Sequence, residues 1–148
     1  MSAKSIEEIV RELADKDEIR ELTHRYAHAI WQQDPAGCAV LFTDDGVMDA
    51  AGQRSEGRGA VEETLRQALS AAMKPMVHNH IIDVQGDTAT GICYVDLRGT
   101  VQGRSMIGAA YYDDMYERVD GRWKFKSRKL TMTFFAPLKE GWAESAGG

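Results

Sequence analysis

The tetrapeptide Val119-Asp120-Gly121-Arg122 constrains this chain most, because long β-type runs flank it on both sides. Asp-Gly between strand-like segments is the strongest short-range hairpin signal, since a tight two-residue turn needs positive φ at its centre. The spacing predicts a long antiparallel hairpin, Arg104 to Val119 against Arg122 to Phe135. Two further strands precede it, Val77 to Val84 and Thr88 to Val101, with turns at Gln85-Gly86-Asp87 and Gln102-Gly103. The result is a meander of four strands.

The first half reads as helical. Ile6, Ile9, Val10 and Leu13 recur at helical spacing. Asp15 or Asp17 can cap a second helix, on which Ile19, Leu22, Tyr26, Ala29 and Ile30 share one face. That helix ends near Asp34-Pro35, because proline restricts the residue before it. Pro35 to Phe42 predicts a short helix with Cys38, Leu41 and Phe42 inward. Asp44-Asp45-Gly46 reads as a turn, Val47 to Ala51 as a short strand, and Gly52 to Gly59 as a hairpin-like loop. Gly59 to Met73 is helical again, with Val61, Leu65, Ala68 and Leu69 as its stripe, and Pro75 stops it. Helices first and antiparallel strands afterwards indicate an α+β fold.

A length of 148 residues fits a single domain, 1–148, with its core over about 15–138 and a polar tail at 139–148 onto which Trp142 can dock. The net charge of −5 argues against nucleic acid as a partner, which calls for a basic footprint. No apolar run approaches the ~20 residues of a membrane span. The N-terminus lacks the apolar core of a signal peptide, so a cytoplasmic location is expected. Cys38 and Cys93 have no metal-type spacing and read as buried thiols. Gly57-Arg58-Gly59 lacks the lysine and spacing of a phosphate loop. Neither a cofactor nor a metal is expected; His78 and His80 at i, i+2 have no third ligand at a recognisable spacing.

The wording of several segments is familiar. Tyr116-Glu117-Arg118, Asp120-Gly121 and Trp123-Lys124-Phe125 resemble the closing hairpin of the SnoaL-like group of the nuclear transport factor 2-like superfamily. Ile19-Arg20-Glu21-Leu22 through Tyr26-Ala27, and Leu41-Phe42-Thr43-Asp44-Asp45-Gly46, resemble its opening. The likeness spans about residues 19–138 and is nearest to the scytalone dehydratase and dehydrochlorinase branches. It implies a cone-shaped α+β domain, helices on a curved, mostly antiparallel sheet around a pocket. It also implies a cofactor-independent lyase or isomerase for a small hydrophobic, cyclic or aromatic substrate, and a homo-oligomer, dimer or trimer.

The resemblance assigns residues. His78, in Val77-His78-Asn79-His80, aligns with the group's general-base histidine; histidine suits proton abstraction near neutral pH. Strand alternation puts His80 on the same face as His78 unless a bulge intervenes. Trp31 stands where the branch carries the aspartate that orients this histidine, and its indole is donor-only. That substitution supports an alternative, a non-catalytic binding or assembly module. Asp114, alternating with Tyr112 and Ala110, is the preferred replacement carboxylate. Tyr26 aligns with a pocket position where a hydroxyl can act as acid or oxyanion stabiliser. Arg128 matches a pocket-edge arginine able to hold a leaving group or carboxylate. Cys93, Val95, Gly108 and Tyr112 match cavity walls, and Met48 adds a soft apolar lining. Tyr94, Asp96, Arg98, Tyr111 and Asp113 would face outward as an interface rim.

Overall fold

The computed structural model describes residues 2–139; the predicted C-terminal tail from 140 onward, with the docking expected of Trp142, lies outside the described residues. The chain order is α1 (Ile6–Trp31), α2 (Pro35–Ala39), β1 (Phe42–Ala50), β2 (Gln53–Glu56), α3 (Arg58–Ala68), a 3-10 turn (Leu69–Ala71), then β3 (Lys74–Gln85), β4 (Thr88–Val101), β5 (Arg104–Val119) and β6 (Arg122–Pro137). One six-stranded sheet runs β2-β1-β6-β5-β4-β3. All neighbours are antiparallel except β1 and β6, which pair in parallel. The α+β expectation holds, with helices packed on a mixed, curved sheet.

Turn chemistry builds the meander. Asp120 and Gly121 have φ of 51° and 78°, and Gln102-Gly103 repeats the pattern at 51° and 75°. Both positive angles match the twist of the flanking strands. Curvature comes from register shifts, one at 77/80 where β3 carries an extra residue and two opposite 109/110 and 115/116 of β5 where β6 carries it, since an extra residue bends a strand.

Three expectations differ from the structure. The first two helices are one helix of 26 residues. Its start is a capping box, in which Ser5 Oγ accepts from Glu8 N and Glu8 Oε2 accepts from Ser5 N. Asp15 caps nothing; it is buried and accepts two bonds from Arg118, at 2.8 and 3.1 Å, and one from Trp123 Nε1 at 3.0 Å. Ile6, Ile9, Val10 and Leu13 face solvent. Second, Asp44-Asp45-Gly46 lies within β1 rather than in a turn, because Phe42 and Val47–Ala50 pair with β6 across an irregular step. Third, the loop predicted over 52–59 contains strand β2, paired with β1.

The core lies between α1 and the sheet. Ile19, Leu22, Tyr26, Ala29 and Ile30 of α1 meet Phe42, Val95, Ala110, Tyr116 and Phe125, all buried. Asp34 ends this region as expected, its Oδ1 accepting from Gly37 N at 2.9 Å.

Candidate functional site

A cavity of about 110 Å³ opens between α1, α3 and the sheet. Its walls are mainly Ile30, Met48, Leu65, Leu69, Leu97 and Leu130. Tyr26, Tyr112 and Arg128 are the lining residues able to ionise. Leu97 and Leu130 were not singled out from the sequence as lining; only the return of β4 and β6 across the core brings them there.

Arg128 is 1% exposed. Its Nε and Nη2 donate to Asp114 Oδ1 and Oδ2, each at 2.8 Å, a bidentate pair inside the core. The guanidinium carbon lies 3.8 Å from the Tyr112 ring centre, 4.2 Å from Phe125 and 4.5 Å from Tyr26. Nη1 is buried without a hydrogen-bond partner. Burial works against the cation, but the charge and hydrogen bonds of Asp114 outweigh it and raise the Arg128 pKa.

Behind the pair runs a chain of hydrogen bonds. Tyr116 O–H donates to Asp114 Oδ2 at 2.9 Å, and His80 Nε2 lies 2.9 Å from the Tyr116 oxygen. Asp114 already accepts from Arg128 and acts only as acceptor, so the single Tyr116 proton points to it. His80 Nε2 is therefore the donor in its contact, and the lone pair sits on Nδ1, which is buried without a partner. Gly91 makes this packing possible: a Cβ there would lie 3.1 Å from the Tyr116 hydroxyl and 3.0 Å from the Ile81 carbonyl.

Burial pushes the His80 pKa down to about 4, and the Asp114 charge only partly opposes it. The unfolded imidazole titrates near ~6.5. Between these values the unfolded chain holds more protons, so stability rises with pH and is lost as pH falls from about 6.5 towards 4. After allowance for partial exposure the loss is about 2 kcal/mol. Urea unfolding at pH 7 and pH 4.5 should show this slope in the wild type and a shallower one in His80→Gln; parallel slopes would refute it.

Burial also raises the Tyr26 pKa well above its usual value and that of Tyr112 to about 12. Both are phenols, not phenolates, at neutral pH. The Tyr26 hydroxyl has a weak partner, Met48 Sδ at 3.8 Å, so a ligand oxygen can displace it. Burial pushes the thiols of Cys38 and Cys93 up to about 12 and 11, which makes them poor nucleophiles.

The sequence-based candidates separate into three groups. Tyr26, Met48, Tyr112 and Arg128 line the cavity. Asp114, His80, Cys93 and Val95 lie behind it in the interior. His78, Trp31 and Gly108 do not reach it. Gly108 packs its Cα against Phe134 and Phe135, where a Cβ would come within 2.7 Å of the Phe134 carbonyl. His78 and Asn79 are consecutively exposed at the β3 bulge, which turns His78 outward and His80 inward. His78 Nε2 pairs with Asp96 Oδ2 at 3.0 Å, both side chains about half exposed.

Trp31, 42% exposed, donates from Nε1 to the Pro75 carbonyl at 2.7 Å. The residue that faces the expected aspartate position is thus a proline. Lys74 closes the same corner, donating to the Trp31 carbonyl at 2.9 Å with its ammonium 5.2 Å from the indole centre. Among the described residues, none of the side chains that line the cavity is a carboxylate or a histidine. Among the described residues, no group of three His, Cys, Asp or Glu side chains gathers as a metal site. No described helix is long and apolar enough to cross a membrane.

Comparison with known proteins places this geometry. The family model described as the SnoaL-like domain matches residues 11–129. The gamma-hexachlorocyclohexane dehydrochlorinase of Sphingobium indicum is 44% identical over 57 residues, 37% of this chain and 36% of the relative. The match thus spans about a third of that curated protein's length. The solved structure of LinA superposes with a TM-score of 0.82 at 25% identity, covering 89% of this chain and 95% of that one. A putative scytalone dehydratase from Novosphingobium aromaticivorans gives 0.77 at 25% identity, covering 86% and 89%.

Proposed function

Because the chain belongs to the SnoaL-like domain family, we propose that it is a cofactor-independent lyase of the dehydratase type. Its substrate is a small, hydrophobic, cyclic compound held in the cavity between α1, α3 and the sheet. One observation carries this reading: a fully buried arginine with an unpartnered Nη1 lines an otherwise apolar cavity next to a weakly bonded phenol. Donors held ready in a dry site stabilise charge that develops on a leaving or activated oxygen.

Tyr26 works as both acid and base in this scheme. Its O–H gives a proton to the leaving hydroxyl as the C–O bond breaks, and water departs. The electron pair of the neighbouring C–H bond becomes the new C=C bond. That proton goes to the Tyr26 oxygen and restores the phenol, so atoms and charge balance. Arg128, over the Tyr26 ring, stabilises the oxygen while it is short of its proton. Names of relatives support elimination as the reaction type: a dehydrochlorinase and a putative dehydratase.

A second reading, a ligand-binding module without turnover, draws on Trp31, which stands where the resemblance expects an aspartate and donates to the Pro75 carbonyl instead of orienting a histidine. The two readings separate in one assay. The probe is 3-hydroxycyclohexanone, whose dehydration to the enone is followed by ultraviolet absorbance. The enzyme reading expects turnover in the wild type. In His78→Ala it expects an unchanged rate and a stability change below about 0.5 kcal/mol, since His78 is exposed and its ion pair is a surface one. Binding without any elimination would favour the module, and loss of turnover in His78→Ala would return the base to His78.

The outer sheet face belongs to the same reading. Ile81, Tyr94 and Met115 are exposed there, and self-association as a dimer or trimer across it is read by sedimentation.

A further inference from the structure

We infer that the cavity selects a neutral, single-ring ligand with one strong acceptor oxygen, a ketone rather than a carboxylate. The inference rests on the cavity's being the ligand site. Two observations lead to it, one of charge and one of size.

Asp114 already answers the charge of Arg128. Its carboxylate accepts from Nε and Nη2 of Arg128 and from the Tyr116 hydroxyl. The cation is thus already neutralised by a bidentate partner that is itself buried. A carboxylate ligand would bring a second anion to one cation, inside walls of isoleucine, leucine and methionine. Burying a charge without its own counter-charge is costly. A carbonyl oxygen carries no net charge and has two lone pairs. It meets the N–H donors still free on Nη1. A neutral acceptor therefore satisfies the orphaned donors with the least desolvation.

Size acts independently of charge. A cavity of about 150 Å³ lined by apolar side chains accommodates benzene. The space here, about 110 Å³, is smaller than that, so its walls enclose at most one six-membered ring, and a fused second ring would extend out through the open side.

The test uses the full chain and four probes at pH 7, each followed by ligand-observed NMR: cyclohexanone, methylcyclohexane, cyclohexanecarboxylate and 1-tetralone. Cyclohexanone should bind at least ~10-fold more tightly than methylcyclohexane, the gain of a hydrogen bond to a charged donor. It should also bind more tightly than cyclohexanecarboxylate and than the two-ring tetralone. Ala50→Leu, which fills the cavity from a half-buried strand position, should remove cyclohexanone binding while urea unfolding stays cooperative. Tighter binding of the carboxylate would overturn the charge argument, and tighter binding of tetralone the size argument; both leave the ligand site standing. Cyclohexanone binding that survives in Ala50→Leu, or no binding of any probe, would remove the cavity as the ligand site and the proposed function with it.

Discussion

Asp114→Ala is expected to destabilise the protein by about 3–5 kcal/mol, because it leaves the Arg128 guanidinium buried without a counter-charge. Domains of this size have a total stability of roughly 5–15 kcal/mol, so the loss is about a fifth of it or more. The Tyr116 hydroxyl loses its acceptor at the same time, and the His80 contact behind it loosens. The urea midpoint reads the effect directly. The double replacement Arg128→Met with Asp114→Leu removes both charges and should recover most of the loss, since buried pairs exchanged for apolar side chains are often neutral or better. It should also end cyclohexanone binding, since no donor at this position remains. If the double variant were as unstable as Asp114→Ala, volume rather than charge would govern the site. If it kept its affinity, the guanidinium would not be the binding group. A pair dispensable for folding and needed for the ligand is retained for function.

Local chemistry made the hairpins legible. Asp120-Gly121 and Gln102-Gly103 take the positive φ values that their sequences demand. Asp114 was also legible as inward-facing, through its alternation with Tyr112 and Ala110. Its partner was not: Arg128 lies on the next strand, and only the β5–β6 register sets the two side by side. The face of His78 was lost for a similar reason. One extra residue in β3 reverses every side chain on one side of it, and no local signal in Val77-His78-Asn79-His80 marks the step. Asp44-Asp45-Gly46 has turn chemistry but is held in a strand by the parallel pairing with β6, which brings together residues about eighty positions apart. Pro75 was read only as a helix stop. Its carbonyl under the Trp31 indole is a tertiary contact, and it is the contact that shows which residue faces the expected aspartate position.

Tyr26→Phe is expected to lower turnover of 3-hydroxycyclohexanone by about 10²–10⁴-fold, the usual worth of a positioned acid or base. The fold should barely notice. The hydroxyl's recorded contact is a 3.8 Å approach to the Met48 thioether, so its removal changes stability by about 0.5 kcal/mol or less. The ring stays, and with it the edge contacts to Phe42, Tyr112 and Phe125 and the stacking under Arg128. Binding should therefore be affected much less than the chemical step, giving a fall in kcat with a nearly constant KM. A purely structural role would instead lower the urea midpoint and leave the activity of the folded fraction intact. The wild-type rate should also show no loss as pH falls from 8 to 7. Burial keeps the phenol protonated throughout that range, and the proton is passed out and back within one turnover. A histidine base would lose activity on further acidification through about pH 6.5, whereas the phenol would not. Full activity in Tyr26→Phe would place the proton carrier elsewhere and reduce Tyr26 to a wall of the cavity.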